Sequence, residues 1–217
     1  MNQINNKIYQ KEIFPITYFQ DHIENNNEIK KILIKKIQED CNNLQIPEGW
    51  ITNKIHTSFS SKDSKKQIFF DKDSIYEKLL SSAYEKCFDH FFDAPYQISI
   101  EDIWYNHYID NEYQEFHNHI GDFYNVTHFA CVHFLSFDSD THESTVFKDP
   151  NIDIRYHSVD FANSGYTGHH TPKIKEGDFI MFPSYLNHCV YPVKSATNYP
   201  RITIALNIKL LEYGTDE

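Results

Sequence analysis

The sequence predicts a mainly β fold with flanking α: a double-stranded β-helix, that is, a squashed jelly-roll barrel braced by N-terminal helices. Two observations predict it. Apolar residues recur at helical spacing before Tyr96, and from Tyr96 onward they alternate with period two or form short runs bounded by Gly, Pro, Asp and Asn. A chain of 217 residues fits one domain, 1–217, with 1–95 as helical support and 96–212 as the barrel core.

In chain order, Phe14 to Phe19 reads as a short strand, and Asn25-Asn26-Asn27 supplies helix-start chemistry. Ile29, Ile32, Leu33 and Ile37 then form a helical stripe that runs to Cys41, with Lys30, Lys31, Lys35 and Lys36 as its solvated face. Pro47-Glu48-Gly49 breaks this helix before Trp50, and Ser58 to Lys66 reads as a polar, mobile loop. A second helix is expected from Ser74 to about Phe92, its stripe being Ile75, Leu79, Ala83, Cys87 or Phe88, and Phe91. Strands follow around Ile98 to Tyr108, 129–135, 178–182 and 202–208. Between Pro150 and Glu176 lies a long insertion (151–176) with few periodic apolar positions, the pattern of a binding loop or lid.

A formal charge of −11 without clustered Lys and Arg argues against a nucleic-acid surface. No apolar run approaches the ~18 residues of a membrane span, and the N-terminus is polar rather than a secretory leader, so a soluble protein is expected. Cys41, Cys87, Cys131 and Cys189 show neither paired nor Cys-x-x-Cys spacing, which reads as buried free thiols in a reducing cytoplasm.

The chemistry concentrates in two stretches. Phe116-His117-Asn118-His119 offers two imidazoles that share a face if the segment is a strand. Phe182-Pro183-Ser184-Tyr185-Leu186-Asn187-His188 offers a third, where the preceding strand ends. Three nitrogen donors on one face of an octahedral ion leave its other positions open, the arrangement that favours non-haem Fe(II). Alternation from Arg201 puts Arg201, Thr203, Ala205 and Asn207 on one face and Ile202, Ile204, Leu206 and Ile208 on the other. An arginine on the inner face of a barrel needs an anion, and a guanidinium grips a carboxylate bidentately. His128 and His133 read as core or pocket-wall groups, while His142, His157, His169 and His170 fall in loops. Tyr105, Tyr108, Tyr113, Tyr124, Tyr156 and Tyr166 suggest an aromatic pocket rim.

These residues carry a family resemblance. Trp104/Asn106, His117-Asn118-His119, Phe147/Asp149-Pro150, Gly177 through Pro192, and Arg201/Thr203/Asn207 follow, in order and spacing, a pattern of the Fe(II)/2-oxoglutarate-dependent oxygenases. In particular, the chain from Ile98 to Leu210 resembles the compact 2OG-Fe(II) oxygenases common in phages and marine bacteria. It departs from them at Ala130-Cys131, where the family has Ser-Gly, and at Thr203, where it has Ser. The resemblance implies Fe(II), 2-oxoglutarate and O2 as cofactors, and hydroxylation of a C–H bond in a small-molecule or peptide substrate with release of succinate and CO2. It makes His117 and His188 iron ligands and places Arg201, Thr203 and Asn106 at the cosubstrate, with Arg201 holding the distal carboxylate. The broader superfamily has Asp or Glu where His119 stands, so either His119 completes a three-histidine centre or Asp122 supplies a carboxylate. A cupin-like metal- or small-molecule-binding protein without 2-oxoglutarate turnover is the alternative. Such proteins carry Glu a few residues beyond the second His, where this chain has Phe123 and Tyr124.

Overall fold

The computed structural model describes residues 15–41, 55–59, 83, 85–89, 96–109, 111–121, 126–155, 167–194 and 198–212. Two antiparallel sheets face each other. The larger has the order β1 (Phe19–His22), β8 (Asp178–Pro183), β5 (Phe129–Ser136), β10 (Arg201–Glu212), β3 (Tyr96–Tyr108) and β2 (His56–Thr57). The smaller has β4 (Gln114–His117), β9 (His188–Val190), β6 (Thr145–Lys148) and β7 (His169–His170). This is the expected double-stranded β-helix.

Helix α1 (Asn26–Cys41) closes the outer face of the larger sheet. It buries Ile29, Leu33, Ile37 and Cys41, a strict i, i+4 stripe. They meet the outward row of β10, Ile202, Ile204, Leu206 and Ile208, together with Tyr105, Cys131 and Met181. Each fully buried aliphatic side chain contributes about 1.5–3 kcal/mol. Ile32, expected in the stripe, is 45 % exposed because its position falls outside this narrow seam. Lys30 is not merely solvated, since its Nζ sits 2.7 Å from Glu176 Oε2. Residues 83 and 85–89 of the second predicted helix are helical, with Cys87 and Phe88 buried in the same core. The rest of that helix, the Pro47–Trp50 break and most of the 58–66 loop lie outside the described residues. Ser58 itself is buried, and its hydroxyl accepts from Tyr105 N at 3.1 Å.

The first strand lies later than the sequence suggests, at Phe19–His22 rather than 14–19, because Phe19 to His22 pair with Met181 to Asp178. Gly177 explains the tight join. It turns with φ +87°, and a Cβ there would meet His22 Cε1 at 2.7 Å and Asn26 Cβ at 3.0 Å. Within the 151–176 insertion the described residues include a short helix, α2 (Ile152–Arg155), and β7, which pairs with β6, while 156–166 lie outside the described residues. All four cysteines are buried and free, and burial raises the Cys41 thiol to about 11.

His133 is fully buried between α1 and the sheet, where its Nε2–H donates to Asn26 Oδ1 at 2.8 Å. Burial lowers it to about 3. Below pH 6.5 the unfolded chain takes up a proton at His133 that the folded chain refuses, so stability falls as pH drops from about 6.5 toward 3. Urea unfolding between pH 7.5 and 5 should show this fall. His133→Gln should flatten it by up to about 1.4 kcal/mol per pH unit, the share of one proton. An unchanged slope would show that other groups carry the acid sensitivity.

Candidate metal and cosubstrate site

The inner row of β10 forms one wall of a cleft. Arg201, Thr203 and Ala205 line it with Trp104, Asn106 and Tyr108 of β3, Val132 of β5, and His117, His119, His188, Gln114, Thr145 and Val190 from the smaller sheet's side. The predicted alternation of β10 therefore holds on both faces. Ala130 and Cys131 are fully buried but neither is among the lining residues, so the departure from Ser-Gly falls in the core.

Three imidazoles converge at the mouth of the barrel. One ring nitrogen of each of His117, His119 and His188 lies within 4.8 Å of the others. Ring centroids are 4.2 Å apart for His117–His188, 5.1 Å for His119–His188 and 5.3 Å for His117–His119. His117 ends β4 opposite His188, the first residue of β9. Between Gln114 and His117 the β4–β9 register shifts, a bulge that re-aims His117. His119 reaches the site by a different route from the one the sequence suggests. Strand β4 stops at His117, so no pleat alternation brings the pair together. Instead the His119 N–H donates to Ser184 O at 2.8 Å, and its ring stacks on Trp104 with centroids 5.6 Å apart.

Each Nδ1 faces an acceptor: Glu115 O at 2.8 Å for His117, Leu186 O at 3.0 Å for His188 and Asn207 Oδ1 at 2.7 Å for His119. Donation from each Nδ1–H leaves Nε2 as the lone-pair nitrogen, the state a metal ligand requires. Desolvation lowers all three rings, His119 to about 4; His188 falls well below its ordinary value, with the two neighbouring imidazoles adding to the effect of burial. The trio is neutral at pH 7. Asp122, the alternative third ligand, lies outside the described residues.

Deeper in the cleft, Arg201 is 2 % exposed and its Nε has no hydrogen-bond partner. Its guanidinium lies 4.1 Å from the Tyr108 ring centroid. Burial lowers its pKa, with Tyr108 opposing, yet an arginine stays charged. Among the described residues no carboxylate forms an ion pair with it. Thr203 is 1 % exposed, and Tyr108 Oη donates to Gln114 Oε1 at 3.1 Å. Asn106 is 5 % exposed and its Oδ1 has no partner. Tyr108, Gln114 and Thr145 complete this polar end. Sequence reasoning assigned no role to Gln114 or Thr145, which lack any motif, and took Tyr108 for rim.

Other readings need correction. Tyr105 is fully buried on the helix side, where its hydroxyl donates to Asp40 at 2.7 Å, so it is core rather than rim. His128 is exposed and accepts from Leu210 N at 3.1 Å instead of lining a core or pocket. His142 does fall in a loop, between β5 and β6, and is buried there, its Nε2–H donating to Tyr199 O at 3.0 Å. His169 and His170 form β7 and are exposed. Tyr124, Tyr156, Tyr166 and His157 lie outside the described residues.

The fold is a jelly-roll barrel whose cleft holds three convergent imidazoles and a buried arginine. Residues 102–207, which hold His117, His119, His188, Arg201, Thr203 and Asn106, match the family "Putative 2OG-Fe(II) oxygenase", a match that supports the Fe(II)/2-oxoglutarate-dependent oxygenase superfamily. The fold is similar to that of the viral collagen prolyl hydroxylase of Paramecium Bursaria Chlorella virus-1 in its 2OG complex. The identity is 15 %, with 88 % of this chain and 94 % of that one covered and a TM-score of 0.55. A prolyl hydroxylase of Trichoplax adhaerens, in complex with a hypoxia inducible factor peptide fragment, matches at 11 % identity, 88 % and 82 % coverage and TM-score 0.56. HygX of Streptomyces hygroscopicus, with nickel, 2-oxoglutarate and hygromycin B bound, matches at 9 % identity, 89 % and 82 % coverage and TM-score 0.53. At these identities the likeness is one of fold. No curated protein matches the sequence. No helix among the described residues is long and apolar enough to cross a membrane.

The cofactors are Fe(II), 2-oxoglutarate and O2. The residues fit them. Three neutral imidazoles whose donor atoms lie within 4.8 Å suit a divalent ion. A buried arginine with an unpartnered Nε suits a carboxylate in the same cleft.

Proposed function

We propose that the protein hydroxylates a C–H bond of a small-molecule or peptide substrate, with conversion of 2-oxoglutarate to succinate and CO2, as a single domain spanning 1–217. In this reading His117, His119 and His188 hold Fe(II). Arg201 and Thr203, with Asn106 alongside, bind 2-oxoglutarate, and Tyr108 and Gln114 shape the carboxylate end. The observation that carries it is the presence, in one cleft, of the histidine trio and the buried Arg201, with which no carboxylate among the described residues forms an ion pair. Bound there, the iron supplies oxygen activation coupled to decarboxylation of the cosubstrate. The chain's own residues do the rest: the Nδ1–H donations fix the Nε2 lone pairs, Arg201 orients the cosubstrate, and Trp104, Val132 and Val190 keep water from the cleft.

Collagen and hypoxia-factor prolyl hydroxylases among the structural neighbours favour a peptide substrate, whereas HygX with hygromycin B favours a small molecule. Buried free thiols support a reducing, cytoplasmic setting. A cupin-like protein without 2-oxoglutarate turnover has no use for a buried arginine in the metal cleft. Purified protein with Fe(II), O2 and 2-oxoglutarate should form succinate slowly even without substrate, and a +16 Da product should appear when the substrate is present. Absence of both succinate and 2-oxoglutarate binding would overturn the assignment.

A further inference from the structure

We propose that Asp102 and Asn207 form a positioning relay that sets His119 as a metal ligand. The inference rests on the reading that His119 holds iron. Asn207 Oδ1 lies 2.7 Å from His119 Nδ1, and Asn207 Nδ2 lies 3.2 Å from Asp102 Oδ2. An ionised carboxylate can only accept. Asp102 therefore draws the NH2 end of the Asn207 amide, which turns the amide oxygen toward His119. That oxygen accepts the Nδ1 proton and leaves the Nε2 lone pair facing His117 and His188. The direction of both hydrogen bonds follows from the one carboxylate behind the amide.

The backbone places this pair with care. Asn207 and Asp102 are direct cross-strand partners of β10 and β3, and the register shifts at the next step, where Ile208 pairs with Ile100 rather than Glu101. A bulge inserts one residue and re-aims its neighbours, and bulges are common beside active sites. Asn207 is 9 % exposed, at the edge of the inner row that carries Arg201, Thr203 and Ala205. The relay also addresses the charge of the centre. Where a carboxylate ligand would bring a negative charge into contact with the metal, His119 brings none. Asp102 supplies it at one remove, through an amide that keeps the carboxylate off the ion.

The test uses the full chain, with Co(II) as the metal probe and nitrogen-15 NMR of the metal-free protein for the tautomer of His119. The native protein should show His119 protonated at Nδ1. In Asn207→Leu the Nε2–H tautomer should become populated and Co(II) affinity should fall about 10–100-fold, as for other partners of metal-bound histidine. The paired exchange Asn207→Asp with Asp102→Asn restores a donor behind an acceptor. It should recover the Nδ1–H tautomer and most of the affinity, an outcome that a purely structural role does not produce and that stays readable if Asn207→Leu folds poorly. Native tautomer and affinity in Asn207→Leu, or no recovery in the paired exchange, would overturn the relay. His119→Ala separates the two levels: loss of Co(II) there with full retention in Asn207→Leu sinks the relay alone. Retention in His119→Ala sinks the metal reading, and the relay with it.

Discussion

Arg201→Ala is expected to abolish productive 2-oxoglutarate binding while leaving Fe(II) binding largely intact. The guanidinium is 2 % exposed with an unpartnered Nε, so its desolvation is already present in the folded protein and an incoming carboxylate meets a charge that water does not screen. Removing one side of such a pair costs about 2–5 kcal/mol, or roughly 30- to 5,000-fold in affinity. Arg201→Lys should recover only part, because an ammonium lacks the bidentate fork and cannot reproduce the stacking on Tyr108. Titration of 2-oxoglutarate into the iron-loaded variants, followed by the metal-to-ligand absorption band, reads both quantities at once. Unchanged affinity in Arg201→Ala would refute the assignment of the carboxylate site. Loss of iron together with cosubstrate would mean that Arg201 supports the fold of the cleft rather than the ligand.

Much of this site was legible because strand β10 obeys a period of two without interruption up to Asn207. Arg201, Thr203 and Ala205 face the cleft, and the four aliphatic residues between and after them face α1. Helix α1 was legible for the same kind of reason, although the true seam is narrower than the apolar pattern and leaves Ile32 outside. What failed were inferences that carried a regular period past the end of an element. His119 reaches the trio through a backbone hydrogen bond to Ser184, a contact between residues far apart in the chain that no local spacing encodes. Strand β1 was displaced because its pairing with β8 determines where it begins, and apolar content alone favoured the residues just before it. The tyrosines divided by strand parity: Tyr105 and Tyr108 belong to the same strand but point to opposite faces, one to the helix and one to Arg201. Asp102 gave no signal at all. An acid on a strand reads as surface until its cross-strand partner is known to be an asparagine bonded to a histidine.

The second large effect concerns the metal. His188→Ala and His119→Ala are each expected to lower Fe(II) affinity by more than about 100-fold, beyond the 10–100-fold typical of outer partners, because each removes a ligand outright. His188 should be the more sensitive position. It is 3 % exposed, it pairs across the sheet with both His117 and Phe147, and its ring lies 4.7 Å from Phe182, so packing holds its ring in place more firmly than it holds that of His119. Asp122→Ala, by contrast, should retain iron. His119 is already turned inward, with its Nδ1–H given to Asn207 and its ring stacked on Trp104, which commits the Nε2 side to the metal. In the proposed reading, three neutral ligands would leave the ion its full 2+ charge, which would attract the dianionic cosubstrate electrostatically. Many oxygen-activating iron sites instead use two histidines and one carboxylate, and the choice is decided by anaerobic Fe(II) titration and 2-oxoglutarate turnover of the variants. If Asp122→Ala loses iron while His119→Ala keeps it, the three-histidine centre is wrong, and His119 becomes a pocket residue positioned by Asn207.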